Sequence, residues 1–123
     1  MNATILVIDD SLMVRQQVSR ALTGAGFSMI EACDGLDAHQ KLAGRADVRL
    51  IVCDVNMPRM NGIEFLEKLS ASGSSIPVVM LTTEGQPELI QRAKALGAKG
   101  WIVKPFKPEM LIAAAKKLTA AAA

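Results

Sequence analysis

A chain of 123 residues, half of them apolar and about a fifth charged, has the size and composition of one globular domain with a real core. Its net charge is +2 and its basic residues are spread along the chain, which gives no reason to expect nucleic acid or an anionic membrane as the main partner. No apolar run approaches the roughly 20 residues of a membrane span, and no charged-then-apolar leader opens the chain, so the expected location is the cytoplasm.

The first element is the apolar run TILVI (4–8), which reads as a strand and runs at once into Asp9, Asp10 and Ser11. Val14, Val18 and Leu22 then recur every fourth residue as the face of a helix that Gly24 and Gly26 stop, with Asp10 or Ser11 as its cap. Arg15 and Arg20 on this helix are either a docking surface or solvated charge. FSMIEA (27–32) is a second strand, mixed in character and therefore placed at a sheet edge. Asp34 caps a second helix carrying Leu36 and Leu42 and ending at Gly44; His39 on it is read as a helix-surface residue. VRLIVC (48–53) is the third strand. Asn61 with Glu64 three residues later forms a capping-box pair, and Ile63, Leu66 and Leu69 make the apolar face behind it. PVVML (77–81) is the fourth strand; Pro87 opens a helix with the stripe Leu89, Ala93 and Leu96, closed by Gly97. GWIVK (100–104) is the fifth strand, and Pro108 starts a last helix through Leu111, Ala115 and Leu118, whose alanine tail 120–123 is expected to fray.

The first, third, fourth and fifth runs are nearly continuous in apolar character, as parallel strands covered on both faces are. The strands recur at the length of a strand, a helix and two turns, with no composition shift or linker between them. The expected fold is α/β: five βα units in one domain over 1–123, doubly wound, with right-handed crossovers and helices on both faces of a parallel sheet. In such sheets the ligand site lies beyond the carboxyl ends of the strands.

Those ends carry the chemistry. The first strand ends at Asp9-Asp10, the third at Cys53-Asp54, the fourth at Thr82-Thr83 and the fifth at Lys104-Pro105. Three carboxylates bring about −3 and Lys104 offsets one unit, so the site wants a divalent cation. All-oxygen ligands without a nearby His or Cys favour Mg²⁺ first and Mn²⁺ second. With such an ion the edge is near neutral and suits a phosphoryl dianion, with Lys104 and Thr82 as donors to its oxygens and one carboxylate as the nucleophile. A lone Asp after a strand is usually a cap or turn residue, and a lone Thr or Lys means little; four strand ends with compatible chemistry are what carry the reading.

ILVIDDS (5–11), LIVCDVNMPRMNG (50–62), PVVMLTTE (77–84) and GWIVKPF (100–106) resemble the landmarks of response-regulator receiver domains of two-component signalling. The resemblance runs from about residue 4 to 119 and is greatest to CheY-type single-domain chemotaxis regulators, because nothing follows the fifth helix. It implies a flavodoxin-like sheet of order 2-1-3-4-5. It implies Asp54 as phosphoacceptor, with Asp9, Asp10, Asp54 and the backbone carbonyl of Asn56 around Mg²⁺. Thr82 would close onto the phosphoryl group and Lys104 would bridge it to the acidic cluster. Gly62 would allow the tight loop after the third strand. Switching or tuning falls to Trp101, Thr83, Glu84 and Pro105, the last in a cis Lys104–Pro105 bond, while Asn56 and Glu84 sit where the family tunes phosphoryl hydrolysis. The family usually carries Tyr or Phe where Trp101 stands, and a bulkier indole turns inward less easily.

The function implied is that of a monomeric regulator which takes a phosphoryl group from a histidine kinase or its phosphotransfer domain. It then alters the face of the fourth helix, fifth strand and fifth helix toward a target such as a flagellar motor switch protein. It would catalyse only its own phosphotransfer and autodephosphorylation. A phosphate sink or phosphorelay intermediate without direct output is the alternative. A dehalogenase-type phosphatase would need a second Asp where Asn56 stands, and a flavin module would need a phosphate loop where the acidic DDS stands. At about 4.8 Å per strand step the order 2-1-3 holds Cys33 and Cys53 near 10 Å apart, too far for a disulfide, so both are expected as free thiols with Cys53 buried beside the site.

Overall fold

Strands and helices alternate along the chain: β1 (Thr4–Ile8), α1 (Leu12–Gly24), β2 (Ser28–Ala32), α2 (Gly35–Leu42), β3 (Val48–Cys53), α3 (Gly62–Ala71), β4 (Val78–Thr82), α4 (Pro87–Ala95), β5 (Gly100–Val103) and α5 (Pro108–Ala121). This computed structural model describes residues 3–57, 59–83 and 85–121. The strands form one parallel sheet in the order β2-β1-β3-β4-β5, the order that the resemblance implied.

The continuous apolar runs follow from burial on both sides. Every residue of β1 and of β4 is buried. Alternate side chains divide between two cores. Leu6, Ile8, Ile51, Cys53, Val78 and Met80 meet α2, α3 and Ala93 of α4. Ile5, Val7, Leu50, Val52, Val79 and Leu81 meet Val18 and Leu22 of α1 and Leu111 and Ala115 of α5. Each large side chain so buried contributes about 1.5–3 kcal/mol. The mixed β2 is an edge strand, as its pattern suggested. β5 departs from the reading as a doubly covered strand: it is the opposite edge, half-buried, with Val103 50% exposed.

The turn chemistry fixes where each helix begins. The Ser11 hydroxyl accepts from Val14 N at 3.3 Å and is the α1 cap, which leaves Asp10 outside the cap. Asp34 accepts from Asp37 N at 2.9 Å, and Asn61 with Glu64 closes the capping box at 2.9 and 3.0 Å. Pro87 occupies the first turn of α4.

Two side chains of α2 differ from their reading. Leu36 is exposed, because the buried stripe of this short helix runs through Gly35 and Ala38. His39 is half-buried rather than a solvated helix-surface residue. Its ring lies 4.9 Å from that of Phe65 in α3, and its Nε2 is buried with no hydrogen-bond partner among the described residues. At the other end of the chain α5 continues to Ala121, into the alanine tail expected to fray; residues 122 and 123 lie outside the described residues.

Candidate functional site

The sheet ladder continues one bond past the strands and lays the site residues side by side. Asp9 N donates to Ala32 O at 3.1 Å, Asp54 N to Ile8 O at 2.9 Å, and Lys104 N to Thr82 O at 2.9 Å. Adjacent strands thus deliver Asp9, Asp54, Thr82 and Lys104 to one edge, where the sequence placed them.

Asp9 is 2% exposed. Its Oδ1 accepts from Ser11 N at 2.9 Å and its Oδ2 from Lys104 Nζ at 2.7 Å. Burial pushes its carboxyl above the usual range, the charge of Asp54 adds to this, and the Lys104 and Ser11 donors hold it back without cancelling it. Asp54 is 6% exposed; its Oδ1 accepts from Val55 N at 2.8 Å and its Oδ2 lies 3.4 Å from Lys104 Nζ. Burial alone would lower the Lys104 ammonium, but Asp9 and then Asp54 outweigh it and raise it overall. Asp10 is exposed, and one carboxylate oxygen from each of Asp9, Asp10 and Asp54 lies within 4.8 Å of the others.

This donor set fits a hard divalent ion: three carboxylates converge, one ammonium offsets one of them, and among the described residues no imidazole or thiolate joins the cluster. Cys53 is the nearest thiol. Burial drives it far above its ordinary value, and its Sγ donates to the Asp54 carbonyl at 3.2 Å, so it stays protonated. Both cysteines are free, Cys53 buried beside the site and Cys33 exposed.

Thr82 ends β4 fully buried, and Thr83 beside it is exposed. Asn56 is exposed in the β3–α3 loop. Gly62 N donates to Val55 O at 2.9 Å, and a Cβ at Gly62 would collide with the Asp54 carbonyl, so only glycine allows the loop to close there. The Lys104–Pro105 bond is cis. Trp101 pairs in register with Met80 and packs, half-buried, on the core shared with α3 and α4, two register pairs below Thr82 and Val103. Glu84 lies outside the described residues.

The structure adds two arginines to the site's surroundings. Arg15, half-buried, is engaged within the fold: its Nη1 donates to the Asp9 carbonyl at 2.6 Å and its Nε to Glu31 at 3.3 Å. Arg59 grips the buried Asp34 at the mouth of α2. Neither pairing has a local sequence signal, because the partners meet only through the fold. Arg20 is exposed and lines, with Val14, Thr83, Lys104, Pro105 and Phe106, a cleft of about 560 Å³ between α1 and the turn after β5. Lys104 is shared between this cleft and the carboxylate cluster.

A family model described as a response regulator receiver domain matches residues 5–116. The chemotaxis protein CheY1 of Helicobacter pylori is 40% identical over 111 residues, 87% of this chain and 89% of its own length. A chemotaxis protein CheY homolog of Campylobacter jejuni is likewise 40% identical over 111 residues, 87% of this chain and 85% of its own. The crystal structure of Vibrio cholerae chemotaxis protein CheY4 superposes with a TM-score of 0.89 at 41% identity, covering 96% of this chain and 99% of that one. Among the described residues no helix is long and apolar enough to cross a membrane.

Proposed function

The chain belongs to the response-regulator receiver family, and from that membership we propose that it is a CheY-type chemotaxis regulator that accepts a phosphoryl group on Asp54. The observation that carries the proposal is the convergence of Asp9, Asp10 and Asp54, with Lys104 bridging the two buried carboxylates. Asp9, Asp10, Asp54 and the Asn56 carbonyl would hold Mg²⁺. Mg²⁺ bound there supplies the positive charge that lets an anionic phosphoryl group approach an anionic nucleophile.

The rest of the work falls to the chain's own residues. The Val55 amide fixes the Asp54 carboxylate through Oδ1. An Asp54 oxygen attacks phosphorus, the donor's N–P bond breaks, and the aspartyl O–P bond forms. The Lys104 ammonium, already between Asp9 and Asp54, turns toward the new phosphoryl oxygens and offsets their charge. Thr82, buried at the end of the neighbouring strand, would donate its hydroxyl to the same oxygens. The donor is a histidine kinase or its phosphotransfer domain, approaching over the cleft that ends at Thr83 and Lys104.

The output is a population shift, in which Thr82 moves toward phosphate and the α4-β5-α5 face changes its preferred arrangement toward a target such as a motor switch protein. Trp101, Thr83 and Glu84 are the residues that tune it. The protein acts as a cytoplasmic monomer and processes only its own phosphoryl group.

Intact mass is the test, on wild type and Asp54→Asn after incubation with a small acyl phosphate, with and without Mg²⁺. Wild type gains one phosphoryl group only with the metal, and Asp54→Asn gains none. Equal gain by the variant would overturn the assignment of Asp54.

A further inference from the structure

Arg59 is the only non-glycine residue at positive φ among the described residues, at φ 64°. A side chain in that region is strained, and such strain persists only where the surroundings over-determine it. The surroundings here are specific. Both Nε and Nη2 of Arg59 reach the same oxygen of Asp34, at 2.7 and 2.6 Å. The Asp34 side chain is 3% exposed, whereas that of Arg59 is 58% exposed. The arginine is therefore drawn out of water along one side to satisfy a carboxylate that α2 has already buried. Asp34 would rise on burial, but the Asp37 amide and Arg59 outweigh this and hold its carboxyl below the usual range.

The next residue repeats the attachment. Gly35 N donates to Met60 O at 3.3 Å, and a Cβ at Gly35 would lie 2.7 Å from the Met60 side chain. The β3–α3 loop is thus fastened at two places: its base by Gly62 N to Val55 O, its flank by Arg59 and Met60 to the mouth of α2. Between those fastenings lies Asn56, directly after the strand end that presents Asp54.

We propose that Arg59 is a positioning residue for the cation site: its pairing with Asp34 across the loop holds the segment from Asp54 through Asn56 in the conformation that binds a divalent ion. The inference rests on the metal reading above and adds to it a residue that touches neither the ion nor the phosphoryl group. Partners that orient metal-binding groups from outside typically change metal affinity by 10–100-fold.

The experiment is calorimetric titration of Mg²⁺ into the metal-free protein, with thermal unfolding measured alongside. Arg59→Gly accepts the positive φ without strain but removes the whole side chain and frees the loop backbone, so it is read beside a variant at Asp34 that leaves the loop's own sequence unchanged. Asp34→Asn keeps the cap acceptor for Asp37 N and removes the charge. Each variant is expected to weaken Mg²⁺ binding about tenfold, the double variant no more than either alone, and Arg59→Lys should recover part of the loss. A role in stability alone predicts a lower Tm in Arg59→Gly with Mg²⁺ affinity unchanged, and that result overturns the proposal. Wild type that takes up no Mg²⁺ overturns the metal reading itself; wild type that binds while Arg59→Gly binds equally well overturns this inference alone.

Discussion

Two buried acidic corners sit at the same end of the sheet and are handled in opposite ways. At the mouth of α2, Asp34 is saturated: the Asp37 amide and two arginine nitrogens reach its carboxylate, and its acidity is strengthened. At the ends of β1 and β3, Asp9 and Asp54 share one ammonium, Asp10 adds a third charge, and Asp9 is pushed toward its protonated form. The first corner is electrostatically complete and the second is not. Burying a charge without full compensation is costly, so a fold that keeps such a cluster is holding a site for something positive.

The sharpest way to break this comparison is to remove a carboxylate from each corner in the absence of metal. Asp34→Ala loses a helix cap and a charge-assisted pair and should cost about 2 kcal/mol. Asp54→Asn removes a like charge from beside Asp9 while Lys104 keeps its closer partner, and should raise stability by about 1 kcal/mol. Urea unfolding in a chelating buffer reads both. If the two variants shift stability in the same direction, the two corners are not the opposites described here.

Acid titration sharpens the same contrast at smaller amplitude. The Asp34 carboxyl is lowered in the fold, so its contribution is complete above the ordinary 3.8 and is lost as pH falls through the folded value. The Asp9 carboxyl is raised, so between its folded value and 3.8 the native state binds more protons than the unfolded one. Stability of the metal-free protein should therefore gain from Asp9 as pH falls toward 3.8, and lose from Asp34 below it. Asp9→Asn should flatten the first limb and Asp34→Asn the second, in unfolding free energies measured across acid pH. An Asp9→Asn profile that superimposes on wild type would remove the claim that this cluster is under-compensated.

The incomplete corner was legible in the sequence and the complete one was not, for a physical reason. Thr82 ends a strand and Asp9, Asp54 and Lys104 each follow one, and strand ends in a parallel sheet must meet at one edge, so position along the chain predicts position in space. The sheet order came from family resemblance and agrees with the structure. Asp34 could be read as a cap, because capping is local. Its partner Arg59 lies 25 residues away, and Arg15 is 16 residues from Glu31. No periodicity reports a contact made by two long side chains across different elements. β5 was misread because a continuous apolar run describes composition, whereas the exposure of Val103 is decided by its place at the sheet edge.

His39 gives the smallest predicted effect. As one polar residue on a short helix, it reads as surface. In the fold its ring lies against Phe65 and its Nε2 is buried without a partner among the described residues. Burial, and then the Lys68 charge, lower its imidazole below the ordinary 6.5. The native state therefore prefers the neutral ring, while the unfolded chain takes up a proton as pH falls below 6.5, so stability declines through that range and levels off below the folded value. Replacing the imidazole by an apolar side chain removes both the titration and the unpaired nitrogen. His39→Leu should be within about 0.5 kcal/mol of wild type at pH 7.5 and should lose less stability than wild type on going to pH 5.5. A variant whose pH dependence matches wild type over that interval would return His39 to the surface role its sequence suggested.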